Sequence, residues 1–426
     1  MDRRIATFTV VVIAVISLFY FFKLKSVDLN SGSAVSPPKS WWKVQSVDTV
    51  KYSRDVAREK MKDVFFVNEV DKQVSQIAET GVTHIAIGTP YDDEFLPFMR
   101  LWVNSIRGHG INVWFRGNFS GWEGWFDYPS ITEKEHIAKL ERFILENPEL
   151  FEDGDIFTPC TECENGGMGD PRSTGRVSEY RQFLIDEYNV SKKAFDEIGK
   201  EVSSNYFSMN ADVAELIMDK KTTRSLGGIV TIDHYVGDPK QLSDDIRKFS
   251  EETGGQVVLG EFGAPIPDIH GEMSEEEQSE WLNEILSLIS KDNPNLVGLN
   301  YWVSYGGSTS IWGDDFYQRK AAEVLSSYYQ GGVISGRVIN QLDEPIEGAY
   351  IEYLLKRTSS NENGEFKMLI VPSVKEIEVF AKGYKNTKVP VESVDNVPIV
   401  LERVNADVVW KIKKLVYEML SNLRNR

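Results

Sequence analysis

Gln256-Val257-Val258-Leu259-Gly260-Glu261-Phe262-Gly263-Ala264-Pro265 is the stretch on which the fold turns. Three consecutive apolar residues, preceded by Gly254-Gly255 and stopped by Gly263 and Pro265, predict a short strand buried on both faces, as in a parallel sheet. Glu261 stands at its C-terminal end. A carboxylate is costly inside a core but well placed on the C-terminal rim of a barrel of alternating strands and helices, where the loops carry chemistry. A loop glutamate in an ion pair explains this stretch equally well. A barrel and a second carboxylate elsewhere in the chain would separate the two readings.

From Trp41 to about Gln330, short apolar strands alternate with amphipathic helices. Strands are predicted near Val44 to Lys51, Val82 to Gly88, Ile111 to Arg116, Asp155 to Thr161, Asn205 to Met209, Gly228 to Tyr235, Gln256 to Glu261 and Leu296 to Val303. Thr132 with Glu135, and Ser274 with Glu277, mark two helix starts by a capping hydroxyl three residues before a glutamate. Eightfold alternation over roughly 290 residues is what a (β/α)8 TIM barrel requires. The rival, an open doubly wound sheet, lacks its Gly-x-Gly-x-x-Gly turn after the first strand. The expected fold class is therefore α/β, with the barrel at 41–330.

The 426 residues, 41% of them hydrophobic, suffice for one large core and a second small domain. A formal net charge of -18 argues against nucleic acid as a partner, because a polyphosphate would be repelled. After Arg3 and Arg4, the run Ile5 to Phe22 carries no charge and has about the minimum length of a membrane span, closed by Lys23 and Lys25. This predicts an N-terminal transmembrane helix within a signal anchor at 1–30, favoured over a signal peptide cleaved near Ser31-Gly32-Ser33-Ala34. A polar linker at 31–40 contains Pro37-Pro38. Positive charge flanks both ends of the span, so orientation is not settled by charge. If the short N-terminus stays inside, the folded part is extracytoplasmic, at the cell surface. Cys160 and Cys163 are the two cysteines. A lone Cys-x-x-Cys lacks the second pair of a structural zinc site, which leaves free thiols, a redox pair or a local disulfide, the last favoured in an exported domain. No His/Asp/Glu cluster has metal-ligand spacing, and neither metal nor cofactor is expected.

In this count Glu261 ends strand 7, and the end of strand 4 reads Asp155-Ile156-Phe157-Thr158-Pro159-Cys160-Thr161-Glu162-Cys163-Glu164-Asn165-Gly166-Gly167. Glu162 and Glu164 supply a second rim carboxylate, and a solvated acidic loop is the plainer alternative. Aromatics crowd the same rim. Trp114-Phe115-Arg116-Gly117-Asn118-Phe119-Ser120-Gly121-Trp122-Glu123-Gly124-Trp125 follows strand 3, Asp233-His234-Tyr235 ends strand 6, and Asn300-Tyr301-Trp302 ends strand 8 and runs on to Trp312. Flat rings with polar neighbours suit the apolar faces and hydroxyl edges of sugars. Trp122, Trp125, Trp302 and Trp312 fit subsites as well as they fit packing, whereas Trp102, Trp114 and Trp281 read as core. Asn210, after strand 5, could bond a sugar hydroxyl or cap the next helix. Arg54 and Asp55, after strand 1, are equally open.

This pattern resembles the clan A glycoside hydrolases, with the cellulase-like family 5 nearest. The residues that carry the resemblance are Leu259-Gly260-Glu261-Phe262-Gly263, His234-Tyr235 and Trp302. It implies Glu261 as nucleophile, Glu162 as acid/base, His234 and Tyr235 as groups holding the glycone and the nucleophile, and Arg116 as the arginine beside the nucleophile. One departure is that the family carries Asn directly before its acid/base glutamate, whereas Thr161 precedes Glu162 and Cys163 precedes Glu164. The choice between Glu162 and Glu164 therefore stays open.

After Gly331-Gly332 the texture changes to alternating strands with turn signals. Val333-Ile334-Ser335-Gly336-Arg337-Val338, Pro345-Ile346-Glu347-Gly348-Ala349, Asn363-Gly364-Glu365-Phe366 and Gly383-Tyr384 resemble the carboxypeptidase regulatory-like (transthyretin-like) domain, which implies an all-β sandwich at 333–403. From 405 to 426 the spacing predicts an amphipathic helix that could dock on the barrel, pair with a second copy or lie on an anionic membrane surface. The function expected is a membrane-anchored hydrolase that cleaves O-glycosidic bonds of a β-linked oligo- or polysaccharide with retention. The alternative is an inactive carbohydrate-binding or scaffold protein at the cell surface.

Overall fold

A computed structural model describes residues 39–404 and 410–417. Its largest sheet consists of β1 (Val44–Asp48), β2 (His84–Ile87), β3 (Asn112–Phe115), β4 (Ile156–Phe157), β5 (Ser208–Asn210), β6 (Ile229–Asp233), β7 (Gln256–Phe262) and β8 (Leu296–Tyr301). All pairings are parallel, in the order β4-β3-β2-β1-β8-β7-β6-β5. The two ends of this curled sheet meet. Ile156 bridges Ser203 just ahead of β5, the Phe157 N–H donates to the Ser203 carbonyl (2.9 Å), and the Glu162 N–H donates to the Ser208 carbonyl (2.8 Å). The predicted TIM-like barrel is thus present, with each predicted strand found at its place. β4 is only two residues long because Pro159, which has no N–H to donate to a ladder, follows closely.

Helices cover the outside: α1 (Phe66–Ala78), α2 (Leu96–Gly108), α3 (Glu133–Glu146), α4 (Val177–Ile198), α5 (Ala211–Ile217), α6 (Pro239–Thr253), α7 (Glu275–Asp292) and α8 (Lys320–Gln330). Both predicted capping boxes form, at Thr132/Glu135 for α3 and Ser274/Glu277 for α7. Between helices and sheet lies the main apolar core, which takes one face of each strand, as in Val257, Leu259 and Phe262 of β7. The opposite faces fill the barrel. Val44, Ala86, Trp114, Ile156, Tyr206, Ile229 and Val258 plug its lower part. Two or four residues further along the strands the inward side chains turn polar: Ser46, Asp48, Arg116, Ser208, Thr231, Asp233 and Asn300 are all buried. A polar layer this deep needs a reason other than stability.

The C-terminal part is a two-sheet all-β unit of β9 (Gly332–Asn340), β10 (Tyr350–Tyr353), β11 (Lys356–Ser359), β12 (Glu365–Ile370), β13 (Glu376–Phe380), β14 (Thr387–Pro390) and β15 (Ile399–Leu401). The sheets run β11-β10-β13-β14 and β12-β9-β15. It packs against the barrel through Trp41 on Tyr353 (6.2 Å between rings) and Ser290 on Ser373 (2.6 Å). Of the predicted terminal helix, residues 410–417 are described and helical, with Trp410 buried and Lys413 3.9 Å from Glu344. The span expected at 5–22 lies outside the described residues, among which no helix is long and apolar enough to cross a membrane. Cys160 and Cys163 are joined as a disulfide.

Candidate active site

Glu261 owes its position to a register shift. On a regular strand it would share a face with Val257 and Leu259 and point at the helices. Pairing slips between Ile232 and Asp233 on the β6 side and between Leu259 and Phe262 on the β8 side, so that Phe262 rather than Glu261 rejoins the outer core. The extra residue is turned into the barrel mouth, a use to which bulges beside active sites are often put. Gly260 makes this possible, since a Cβ there would lie 2.4 Å from Asp233 Oδ1 and 2.9 Å from Ser208 Oγ.

Beneath Glu261 sits Arg116, itself 3% exposed. Its guanidinium bonds Asp48, donates to Ser208 Oγ (2.8 Å) and Glu261 Oε1 (3.0 Å), and lies 3.5 Å from Asp233. The Tyr235 hydroxyl donates to the other oxygen of Glu261 at 2.9 Å. One guanidinium thus faces three carboxyl groups. Burial pushes Glu261 up to about 7, with the Arg116 charge pulling it down, the Glu162 and Asp48 charges pushing it up, and Tyr235 pulling it down. Asp233, bonded by the Ser208 hydroxyl, is raised far above the usual carboxylate range by burial and by the charge of Glu261. Asn300 Nδ2 ties the layer together by donating to Asp48 (2.9 Å) and to the Gly260 carbonyl (2.8 Å).

The other carboxylate comes from the β4 loop. Glu162 is held in the left-handed region at φ 43°, ψ 52°, a conformation costing a non-glycine residue about 1–3 kcal/mol and concentrated at functional sites. Its side chain accepts one weak bond, from Asn165 Nδ2 at 3.2 Å. Burial and the neighbouring Glu164 charge raise its pKa, against the charges of Arg116 and Arg54. Glu164 is different. It is 4% exposed and accepts from the Asn210 N–H (2.8 Å), Asn210 Nδ2 (3.0 Å) and the Tyr180 hydroxyl (3.1 Å). Those three donors fasten the loop to β5 and α4, whereas the Glu162 carboxyl has only the Asn165 amide bonded to it.

No family model matches this chain, and no curated protein does. Solved structures do match. The GH5_18 protein from Streptomyces cattleya in complex with GlcNAc aligns with a TM-score of 0.50 at 11% identity, covering 70% of this chain and 80% of that one. A β-glucuronidase from Bacteroides uniformis aligns at 0.48 and 10% over 84% of this chain and 46% of the other, and one from Parabacteroides merdae at 0.45 and 12% over 85% and 49%. The likeness is one of fold. This chain spans about half the length of the glucuronidase structures.

The remaining predicted site residues divide. Trp302 and Tyr235, both half-buried, meet edge to face at 6.3 Å beside Glu261. Trp125 is half-buried on the β3 loop, with the Arg54 guanidinium 4.9 Å over its ring. Trp122 and Trp312 correct the subsite reading. Trp122 is 3% exposed, stacked on Phe183 at 5.1 Å, and Trp312 is 1% exposed, stacked on Tyr305 at 5.7 Å. Both are packing residues. Asn210 serves Glu164 rather than an open cleft. His234 also departs from expectation: its ring Nε2 pairs with Asp245 of α6 at 2.8 Å, and it meets Glu261 only by its N–H donating to the Glu261 carbonyl (3.0 Å). Strand alternation turns Asp233 and Tyr235 inward and His234 outward.

Three residues were not anticipated. Asp48 and Asp233 each close a strand as an acid following an apolar residue, a signal present in the sequence. Glu123, beside Trp122, accepts from Asn118 Nδ2 at 2.8 Å, and its carboxyl is pushed up to about 8 by burial, with Arg54 pulling it down and Glu162 and Glu164 adding to the rise.

Proposed function

We propose that this chain is a glycoside hydrolase acting on a β-linked oligo- or polysaccharide with net retention. The observation that carries the reading is that two glutamates far apart in sequence meet one small group of strand ends: the Glu162 N–H, on the loop after β4, donates to the Ser208 carbonyl (2.8 Å), while the Ser208 hydroxyl and Glu261 of β7 share the Arg116 guanidinium (2.8 and 3.0 Å). Glycosidic bonds break through an oxocarbenium-like transition state, which calls for one protonated and one ionised carboxyl. Burial raises both carboxyls, but the groups bonded to them differ in the required sense. Glu261 has Arg116 and Tyr235 donating to its two oxygens, which favours the ionised nucleophile. Glu162 has no cation bonded to it and lies among other carboxyls, which favours the acid form that protonates the leaving oxygen. After the covalent glycosyl-enzyme forms on Glu261, Glu162 as carboxylate takes the proton of the attacking water. Trp302 offers a flat face for the sugar beside Glu261.

The second reading, an inactive carbohydrate-binding or scaffold barrel, draws on Thr161 standing where the glycoside hydrolases that the sequence resembles carry Asn. The C-terminal unit is proposed to be a carboxypeptidase regulatory-like domain acting as a spacer. The whole is proposed to be held at the outer cell surface by residues 1–30. A screen of aryl glycosides and polysaccharides, followed by a product NMR time course, tests the enzymatic reading. A first-formed product of the substrate's anomeric configuration is expected, and inverted product defeats the retaining assignment.

A further inference from the structure

Glu162 is one of two residues enclosed by a disulfide. Cys160 and Cys163 are joined across Thr161 and Glu162, and the two-carboxylate chemistry uses neither sulfur. A bridge this short ties no distant parts of the chain together, and the unfolded-state entropy it removes is small beside that of a long loop. Its effect is local. With the two cysteine Cα atoms 5.5 Å apart, residues 160–163 are folded into a tight turn whose third member is Glu162, at φ 43° and ψ 52°. Turns with a positive φ at that place ordinarily use glycine or asparagine. Here a glutamate occupies it, and the ring keeps the backbone from relaxing to an extended form.

Both cysteines are buried, and the turn is seated on several neighbours. The Glu162 N–H donates to the Ser208 carbonyl of β5 (2.8 Å), and Trp122 Nε1 donates to the Cys163 carbonyl (3.3 Å). Asn118 Nδ2 donates to the Thr161 carbonyl (3.3 Å) and lies 3.6 Å from Cys160 Sγ. The orientation of that amide is settled from behind, because Asn118 Oδ1 accepts from the Phe119 N–H and bonds His136 Nε2, each at 2.8 Å. His136 Nδ1 in turn meets Glu187 at 2.8 Å, both residues being wholly buried. These bonds reach the backbone or a sulfur of 160–163, and none of them reaches the Glu162 carboxyl, which accepts from Asn165 at 3.2 Å. The carboxyl therefore stands where the backbone of the turn puts it.

We propose that the Cys160–Cys163 disulfide is a positioning element for Glu162, fixing the turn that presents this carboxyl to the barrel mouth, so that a chain without the bridge keeps its barrel and loses its proton donor. This rests on the glycosidase reading, with Glu162 as the acid/base. An acid serves a departing oxygen only within hydrogen-bond reach of it, and a turn free to relax between left-handed and extended backbone spends little of its time in the productive place. The sulfurs act through Glu162 and exchange no electrons in the reaction.

The test compares the full-length chain with Cys160→Ala/Cys163→Ala, with Glu162→Gln and with the two combined, on paired phenyl and 2,4-dinitrophenyl β-glycosides of glucose, galactose, mannose, xylose and glucuronic acid. Phenoxide leaves poorly without a proton and dinitrophenoxide leaves well. Removing the bridge is expected to lower kcat/KM on the phenyl glycoside about 10–100-fold more than on the dinitrophenyl one. In the Glu162→Gln background the same removal should cost less than about twofold, because the acid is already gone. Azide, a nucleophile that needs no base, should restore kcat on the dinitrophenyl glycoside. Equal losses on both leaving groups, no loss on either, losses that multiply in the combined variant, or a chain that fails to fold with the cysteines replaced by either alanines or serines overturn the proposal. Hydrogen exchange reads the turn without turnover. Amides of 162–167 should exchange about tenfold faster or more without the bridge while those of β7 keep their rates, and unchanged exchange at 162–167 overturns the proposal. A parent chain that hydrolyses neither this panel nor the screened polysaccharides, yet shows this bridge-dependent exchange, defeats the glycosidase reading and leaves the clamp on the turn standing.

Discussion

Arg116 is the residue whose removal the barrel should tolerate least. Arg116→Met keeps the length of the stem but deletes the guanidinium that bonds Asp48 and Glu261 and lies 3.5 Å from Asp233 in their buried layer. At 3.0 Å from Glu261 and 3.5 Å from Asp233, the guanidinium attracts each ionised carboxyl by about 5 kcal/mol at an effective dielectric of 20. Desolvation offsets much of that, and breaking one side of a buried pair costs about 3–5 kcal/mol net. At about 2–4 °C per kcal/mol for a barrel of this size, Tm should fall by roughly 6–20 °C. The sign with pH follows from the raised carboxyl pKa values. Glu261 and Asp233 are neutral below their unfolded values of 4.5 and 3.8 and ionise late, Glu261 near 7, so the cost of losing Arg116 grows as pH rises through that range. Differential scanning fluorimetry at pH 5 and pH 8 should therefore show the larger deficit at pH 8. An unchanged Tm at pH 8, or a larger deficit at pH 5, would refute the account of this layer.

Other consequences concern single side chains. Glu162→Gln should slow hydrolysis of substrates with sugar leaving groups by about 10²–10⁴-fold and of nitrophenyl glycosides far less, since a good leaving group needs no proton. Glu164→Ala, which strips the acceptor from Asn210 and Tyr180, should instead lower stability by about 1–3 kcal/mol without that leaving-group dependence. Trp122→Ala should cost about 3–5 kcal/mol in denaturant unfolding. Trp302→Ala should raise KM by roughly two- to tenfold with little change in the unfolding midpoint.

The barrel was legible because most strands, β2, β3, β6, β7 and β8 above all, hold a short apolar run, and the caps at Thr132 and Ser274 are local chemistry that tertiary context had no cause to override. Glu261 was legible as an acid at the end of such a run, though not the bulge that turns it inward, because a register shift depends on the neighbouring strands. The tryptophans show the opposite failure. Trp122 fitted a subsite as well as it fitted packing, yet Gly166 and Gly167 of the β4 loop are small because the Trp122 backbone and ring fill the space a Cβ would take, within 2.1 Å. Trp312 gives no hint in sequence that Tyr305 covers it. His234 was placed by resemblance, and the two-residue period of β6 already opposed having both Asp233 and His234 face inward. Glu123 passed as one more acid in a chain with 65 Asp and Glu, and only its bond to a buried Asn118 sets it apart.

The central claim, that Glu261 is the nucleophile, is tested most directly by peptide mapping after treatment with a panel of cyclophellitol-type inactivators. A covalent adduct on Glu261, absent from Glu261→Gln, is the predicted result; an adduct on Glu162 or Glu123, or labelling undiminished in Glu261→Gln, would contradict it.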